Sequence, residues 1–337
     1  MKTKMTYDAF DKALKLLQDN YTLIGPVRKS KRGTMSDTDS IRYEEVTKFE
    51  QIEFEEKAQF SAKEILQPIT QVLFYFTEDE YKVPTAGQKQ ILLFLRACDV
   101  HALDRVDQIY LDNGPVDPYY KQIRERVKVA LIGCQHSYRN CFCVSMGTNK
   151  TDQYAIGVKP TDDGAYLDIQ DSDLLEAFAG FDQDQNIVFE MDFVTTNETI
   201  VDVPKALDGQ DVAQQDLWRE YDSRCVACGK CNFVCPSCTC FGMQDIFYKD
   251  NDNTGERRRV WTSCHVDGYT DMAGGSGFRK KHGDRMRFKT LHKVHDYNKR
   301  FGKHMCVGCG RCDDACPEYI SFSSCVNKLS AIEKEGK

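Results

Sequence analysis

The chain has 337 residues, 41% hydrophobic and 29% charged, with a formal net charge of −7. That length supports two domains, each with its own core, and the composition is that of an ordinary soluble globular protein. Sixteen cysteines would mean a disulfide scaffold in a short secreted chain, but Met1-Lys2-Thr3-Lys4-Met5 lacks the apolar core of a signal peptide and the apolar runs are of strand length. The expectation is a cytoplasmic protein with no membrane span, its thiols reduced or metal-bound.

In chain order, Thr6 reads as an N-cap with Asp8 in the first turn, and Phe10, Ala13, Leu14 and Leu17 form one helical stripe. Residues 21–24 run into Gly25-Pro26, read as a turn, and residues 28–38 read as a basic, polar loop. Strands are expected at 72–76, 91–95 and 127–132; the second ends on Arg96-Ala97-Cys98-Asp99 and the third at Gly133-Cys134. Val100, Leu103, Val106 and Ile109 recur at helical spacing between them. Buried runs alternating with helical stretches predict an α/β domain over residues 1–203. Further strands are expected within 147–201, at 155–158 and 187–189 among others. Residues 204–216 read as a linker, and a helix-like stretch at 217–221 opens a second domain, 217–337.

That second domain carries a pattern that occurs twice. Cys225, Cys228, Cys231 and Cys235 run C-x-x-C-x-x-C-x-x-x-C before Pro236, and Cys306, Cys309, Cys312 and Cys316 repeat the spacing before Pro317. This is the bacterial ferredoxin run, in which the fourth cysteine ligates the other cluster. Cys225, Cys228, Cys231 and Cys316 are therefore expected at one [4Fe-4S] cluster, and Cys306, Cys309, Cys312 and Cys235 at a second. Gly229, Gly308 and Gly310 suit a tight loop that needs positive φ and aims N–H groups at sulfur. Zinc is the competing reading, but zinc sites close with two pairs of ligands and need neither a third cysteine at the same step nor a following proline. The overall class is α+β: an N-terminal α/β domain, then a bicluster ferredoxin-like domain with residues 241–305 inserted between its two motifs.

Two further cysteine groups compete for an extra site. Cys98 and Cys134 each follow the C-terminal end of an apolar strand, where α/β sheets place ligands, and Cys141-Phe142-Cys143 lies a short loop beyond. Four cysteines are what a third cubane needs. Cys238, Cys240 and Cys264 are one short, unless His265 or another group completes them; they serve equally well to tune the neighbouring clusters. Cys325 reads as structural. Acids cluster between Asp37 and Glu56, whereas residues 279–303 are strongly basic. Such runs are ordinarily solvated faces; alternatively the basic run docks an acidic partner or stabilises a nearby anionic substrate or cluster. No nucleotide-binding glycine loop is evident.

Taken together, Ala97-Cys98-Asp99, Cys141-Phe142-Cys143, Pro236-Ser237-Cys238-Thr239-Cys240, Trp261-Thr262-Ser263-Cys264, Ala273-Gly274-Gly275 and Cys306-Val307-Gly308-Cys309-Gly310-Arg311-Cys312 give a chain that resembles the iron–sulfur subunit of anaerobic sulfite reductases. It is also similar to the β subunit of soluble hydrogenases of the sulfhydrogenase type. The stretch around Cys141-Phe142-Cys143 up to Thr148 leans towards the former, while Ser276-Gly277-Phe278-Arg279 departs from the Asn-Phe-Arg expected after the double glycine. The resemblance implies a non-catalytic electron relay between a flavin- and NAD(P)H-binding reductase subunit and a siroheme iron–sulfur subunit that reduces sulfite to sulfide. The rivals are a hydrogenase or sulfur-reductase β subunit, a chain that is itself the catalyst, and a zinc protein binding nucleic acid. The net acidic charge speaks against the last.

Overall fold

The computed structural model describes every residue except 34, 36, 86, 182–186, 206, 208–211, 249–250 and 336–337. A first strand, β1 (Lys2–Thr6), precedes the helix Tyr7–Leu17, and Thr6 caps that helix by accepting a hydrogen bond from the Ala9 N–H. Phe10, Ala13, Leu14 and Leu17 form its buried stripe, as their spacing predicts.

Six more strands join β1 in one sheet: β2 (Tyr21–Lys29), β3 (Ser40–Glu45), β6 (Gln90–Leu95), β7 (Val127–Ile132), β8 (Ile156–Pro160) and β9 (Gly164–Ile169), while β4 (Thr70–Phe76) and β5 (Tyr81–Lys82) lie elsewhere. The order is β1-β9-β8-β7-β6-β2-β3. Neighbours among β2, β6, β7 and β8 pair in parallel, and the outer strands pair antiparallel. Successive residues of a strand point to opposite faces, and both faces are covered here, which is why these central strands are largely apolar. Leu92, Phe94, Ala130 and Ile132 pack with the helix Tyr7–Leu17; Leu93, Leu95, Val129 and Leu131 pack with the helix Ala97–Tyr110.

Two sequence expectations need correction. Gly25-Pro26 is no turn: β2 runs through both, with Pro26 opposite Tyr43. Beyond Ile24 the strand has left β6 and is paired on one side only, where a residue without an N–H is tolerated. The strand expected at 187–189 is extended coil, held by its side chains, as where Phe189 stacks on Tyr166 with ring centroids 5.2 Å apart. The strand near 72–76 exists as β4, but it belongs to a second sheet of order β10-β11-β4-β5, with β10 (Phe241–Tyr248) and β11 (Asn251–Trp261). The inserted segment is thus tied through its hairpin to the N-terminal half. Strand periodicity shows which residues share a face and says nothing about which strand will be the partner. Residues 206 and 208–211 of the expected linker lie outside the described residues; beside them Val212 is buried and its carbonyl accepts a hydrogen bond from Trp218 Nε1 at 2.6 Å.

After the hairpin, the helix His282–Leu291 continues through a π turn, His292–Asp296, into Tyr297–Phe301, and the helix Phe322–Glu335 closes the described chain. Among the described residues no helix is long and apolar enough to cross a membrane.

Candidate metal centre

Each ferredoxin run wraps around a short helix. Gly229 (φ 72°) caps Lys230–Phe233 and Gly310 (φ 70°) caps Arg311–Ala315, both in the left-handed region that glycine enters freely. Cys225, Cys228 and Cys231 line one cavity together with Cys316; Cys306, Cys309 and Cys312 line a second together with Cys235. The last cysteine of each run therefore lines the cavity of the other. The cavities adjoin: Lys289 and Phe322 border both, and Cys231 and Cys312 also touch the neighbouring one. Backbone N–H groups point at sulfur, from Gly308 to Cys306 Sγ at 3.5 Å and from Ile320 to Cys316 Sγ at 3.3 Å.

The N-terminal four also converge. Cys98 stands in the first turn of the helix after β6, and Cys134 follows β7 by two residues. Burial chiefly raises the Cys98, Cys134 and Cys143 thiols; Cys143 adds to the shift at Cys98, Cys141 to that at Cys134, and Cys141 and Cys134 to that at Cys143. Arg96 Nη1 lies 3.5 Å from Cys134 Sγ, Lys57 Nζ 3.5 Å from Cys141 Sγ, and the Asn197 amide 3.8 Å from Cys143 Sγ. This loop is clamped to the second run: Phe142 N–H donates to the Gly308 carbonyl at 2.8 Å and Thr148 Oγ1 to the Val307 carbonyl at 2.6 Å. Arg311 makes a buried two-pronged ion pair with Asp99, at 2.7 and 2.9 Å.

The electrostatics ask for an anion. Lys63, Lys289 and Lys293 are 8%, 5% and 2% exposed, and their nearest opposite charges are sulfurs. Cys231, Cys312 and Cys238 surround Lys289; Cys235, Cys238 and Cys306 surround Lys293; Cys238, Cys235 and Cys240 surround Lys63. A buried ammonium is costly unless an anion faces it. Burial pushes the Cys306 thiol up to about 12 and the Cys309 thiol up to about 11, whereas the Cys238 hydrogen bond, with Lys293 and Lys63 nearby, holds Cys235 well below the usual thiol range. Metal binding strips the thiol proton and supplies the thiolates the lysines need. Among the described residues no three His, Cys, Asp or Glu side chains are gathered closely enough to hold a single metal ion. A zinc site draws its thiolates to about 2.3 Å from one point, so quartets spread around cavities fit a multi-iron cluster instead.

Cys238, Cys240 and Cys264 stand apart from both cavities; the Cys238 thiol hydrogen-bonds Cys235, and Cys240 hydrogen-bonds Cys264. His265 places Nδ1 3.8 Å from Cys225 Sγ. Cys325 is buried, 3.6 Å from Thr290 Oγ1. The reading of residues 279–303 as a solvated face fails at Arg285, Lys289 and Lys293, all buried. Sequence reasoning missed Lys57, Lys63, Arg96 and Arg311; Arg311 alone carried a signal, sitting inside a cysteine run.

Residues 224–320 match the family described as a 4Fe-4S dicluster domain. Across 97% of its length the chain is 26% identical to sulfhydrogenase 2 subunit beta of Pyrococcus furiosus, of which it covers 97%. No solved structure matches the chain. These likenesses support a β-subunit-like iron–sulfur protein with [4Fe-4S] clusters, and they do not single out sulfite reductase.

Proposed function

We propose that the chain is the electron-transfer subunit of a soluble hydrogenase-type complex, carrying three [4Fe-4S] clusters. Cys225, Cys228, Cys231 and Cys316 would hold the first, Cys306, Cys309, Cys312 and Cys235 the second, and Cys98, Cys134, Cys141 and Cys143 the third. When bound, such clusters take up and release single electrons. The observation that carries the reading is the set of buried lysines set against cysteine sulfurs, an arrangement that metal-bound thiolates would stabilise. The chain's own residues then set the potentials: Lys289 stands between the first and second sites, Lys293 beside the second, and Lys57 and Arg96 beside the third. The likeness along the full length favours hydrogenase-type partners, with a flavoprotein on one side and a catalytic subunit on the other. The sulfite reductase reading, in which a siroheme protein is the acceptor, differs only in those partners.

Anaerobically purified protein should contain about twelve iron and twelve sulfide per chain, and Cys98→Ser should lower both by about four. A count of about eight that Cys98→Ser leaves unchanged would remove the third cluster. Retrieval of a siroheme subunit with the tagged chain from its native extract would return the sulfite reductase reading to first place.

A further inference from the structure

The cysteines left over from the three quartets are placed for chemistry of their own. The β10–β11 ladder brings Cys240 to the base of the hairpin, where its carbonyl accepts the Thr262 N–H at 3.2 Å. The turn that begins at Ser263 then folds Cys264 back over it, and the two thiols share a hydrogen bond. Asn232 Nδ2 fixes Cys264 Sγ at 3.0 Å and also donates to Ser263 Oγ at 2.9 Å. Tyr269, half-buried, hydrogen-bonds the Cys240 sulfur.

Covalent neighbours reach both bicluster cavities. His265, adjacent to Cys264, faces Cys225 through Nδ1, and its Nε2 is buried without a partner among the described residues. Cys238, two residues before Cys240, hydrogen-bonds Cys235. Asn232 itself follows Cys231 in the chain. A pair of thiols in mutual contact, outside both cavities yet bonded into the walls of each, is what an exchange of electrons with those sites requires.

We propose that Cys240 and Cys264 form a redox-active dithiol–disulfide couple that exchanges two electrons, one at a time, with the neighbouring iron–sulfur centres. On reduction the Cys240–Cys264 S–S bond breaks, two electrons enter from one-electron iron–sulfur donors, and two protons complete two thiols. Tyr269 gives one of those protons a hydrogen-bonded route to Cys240. Oxidation reverses each change. The proposal rests on the cluster assignment above for its electron source.

The test is made on iron-replete chain, poised anaerobically over a range of potentials, alkylated and mapped by mass spectrometry. The expected result is a Cys240–Cys264 linked peptide at the oxidising end, replaced by two alkylated cysteines at the reducing end. Coulometric titration should then show two more electrons taken up per chain than there are clusters. Cys240→Ser and Cys264→Ser should each lose those two electrons and keep the full iron content, while Cys325→Ser keeps both. An iron-replete chain with no linked peptide at any potential overturns the couple alone. A fall of about four iron in Cys264→Ser makes that residue a cubane ligand and overturns it equally. Wild-type chain without acid-labile sulfide overturns the cluster reading, and the electron source with it.

Discussion

The two ferredoxin runs share one spacing and stand in different surroundings. Cys225-Val226-Ala227-Cys228-Gly229-Lys230-Cys231 faces outward: Cys228 is exposed, Val226 is 54% exposed, and Tyr319 near the crossing Cys316 is 86% exposed. Cys306-Val307-Gly308-Cys309-Gly310-Arg311-Cys312 is interior, with Val307 and Arg311 each 1% exposed and the Cys141–Cys143 loop laid across it. The same motif thus lies at the surface in one copy and in the interior in the other. Two substitutions between otherwise matching positions mark the difference, Lys230 against Arg311 and Ala227 against Gly308.

The first pair gives the largest expected effect. Arg311 reaches Asp99 with two hydrogen bonds and the Ala58 carbonyl with a third at 2.9 Å, fastening the second run to the residue next to Cys98. Breaking a buried ion pair from one side strands a charge and costs roughly 3–5 kcal/mol. Asp99→Asn should therefore lower unfolding free energy by that order and reduce occupancy of the third site. Lys230, half-buried at the matching place, should tolerate Lys230→Met within about 0.5 kcal/mol. Chemical denaturation of the anaerobic protein measures both. Equal losses would mean that the two runs are held alike.

A smaller effect is expected at Gly308. Its φ is 64°, and an added Cβ would lie 2.5 Å from the Phe142 carbonyl oxygen. Backbone atoms cannot swing aside as a side chain can. Gly308→Ala should cost about 1–3 kcal/mol from the φ alone, and the displaced loop should shed iron from the third site before the second. Iron counts taken together with the unfolding curve separate the two; a stable variant with full iron content would show that the loop contact is dispensable.

How much of this was legible in the sequence follows from the same contrast. The grouping of cysteines around each cavity could be read from the local repeat, including the crossing of Cys235 and Cys316, because spacing dictates where a short loop can aim sulfur. The seven-stranded sheet was largely legible through its continuous apolar strands, and Cys98 and Cys134 through their places at strand ends. The tertiary partners were not. Nothing near Lys63 marks it as a residue that will be buried with its Nζ 3.1 Å from the Asn232 carbonyl, 169 positions away. Lys289 and Lys293 were visible as charge, but a basic run in a helix looks the same whether it meets water or sulfur. β4 was legible as a strand but its sheet was not, for a like reason, since its partner β11 lies far downstream, pairing Phe76 with Gly255 and Thr70 with Val260.

The finest test of the comparison lies at Ala227. Its φ of 55° puts an L side chain in the left-handed region, at a cost of roughly 1–2 kcal/mol. The conformation is kept because the Ala227 N–H bonds to the Cys225 sulfur, as the Gly308 N–H bonds to Cys306. Alanine survives there because no carbonyl blocks its Cβ in the outward-facing run, whereas Phe142 blocks the equivalent place in the inner one. Ala227→Gly removes the strain and keeps the donor, while the added freedom of the unfolded chain offsets about 0.5–1 kcal/mol of that relief. The net change should be a gain of between zero and about 1 kcal/mol, with iron content unchanged. A loss beyond about 1 kcal/mol would mean that the alanine methyl makes a packing contact of its own, and that the outer run is held as closely as the inner.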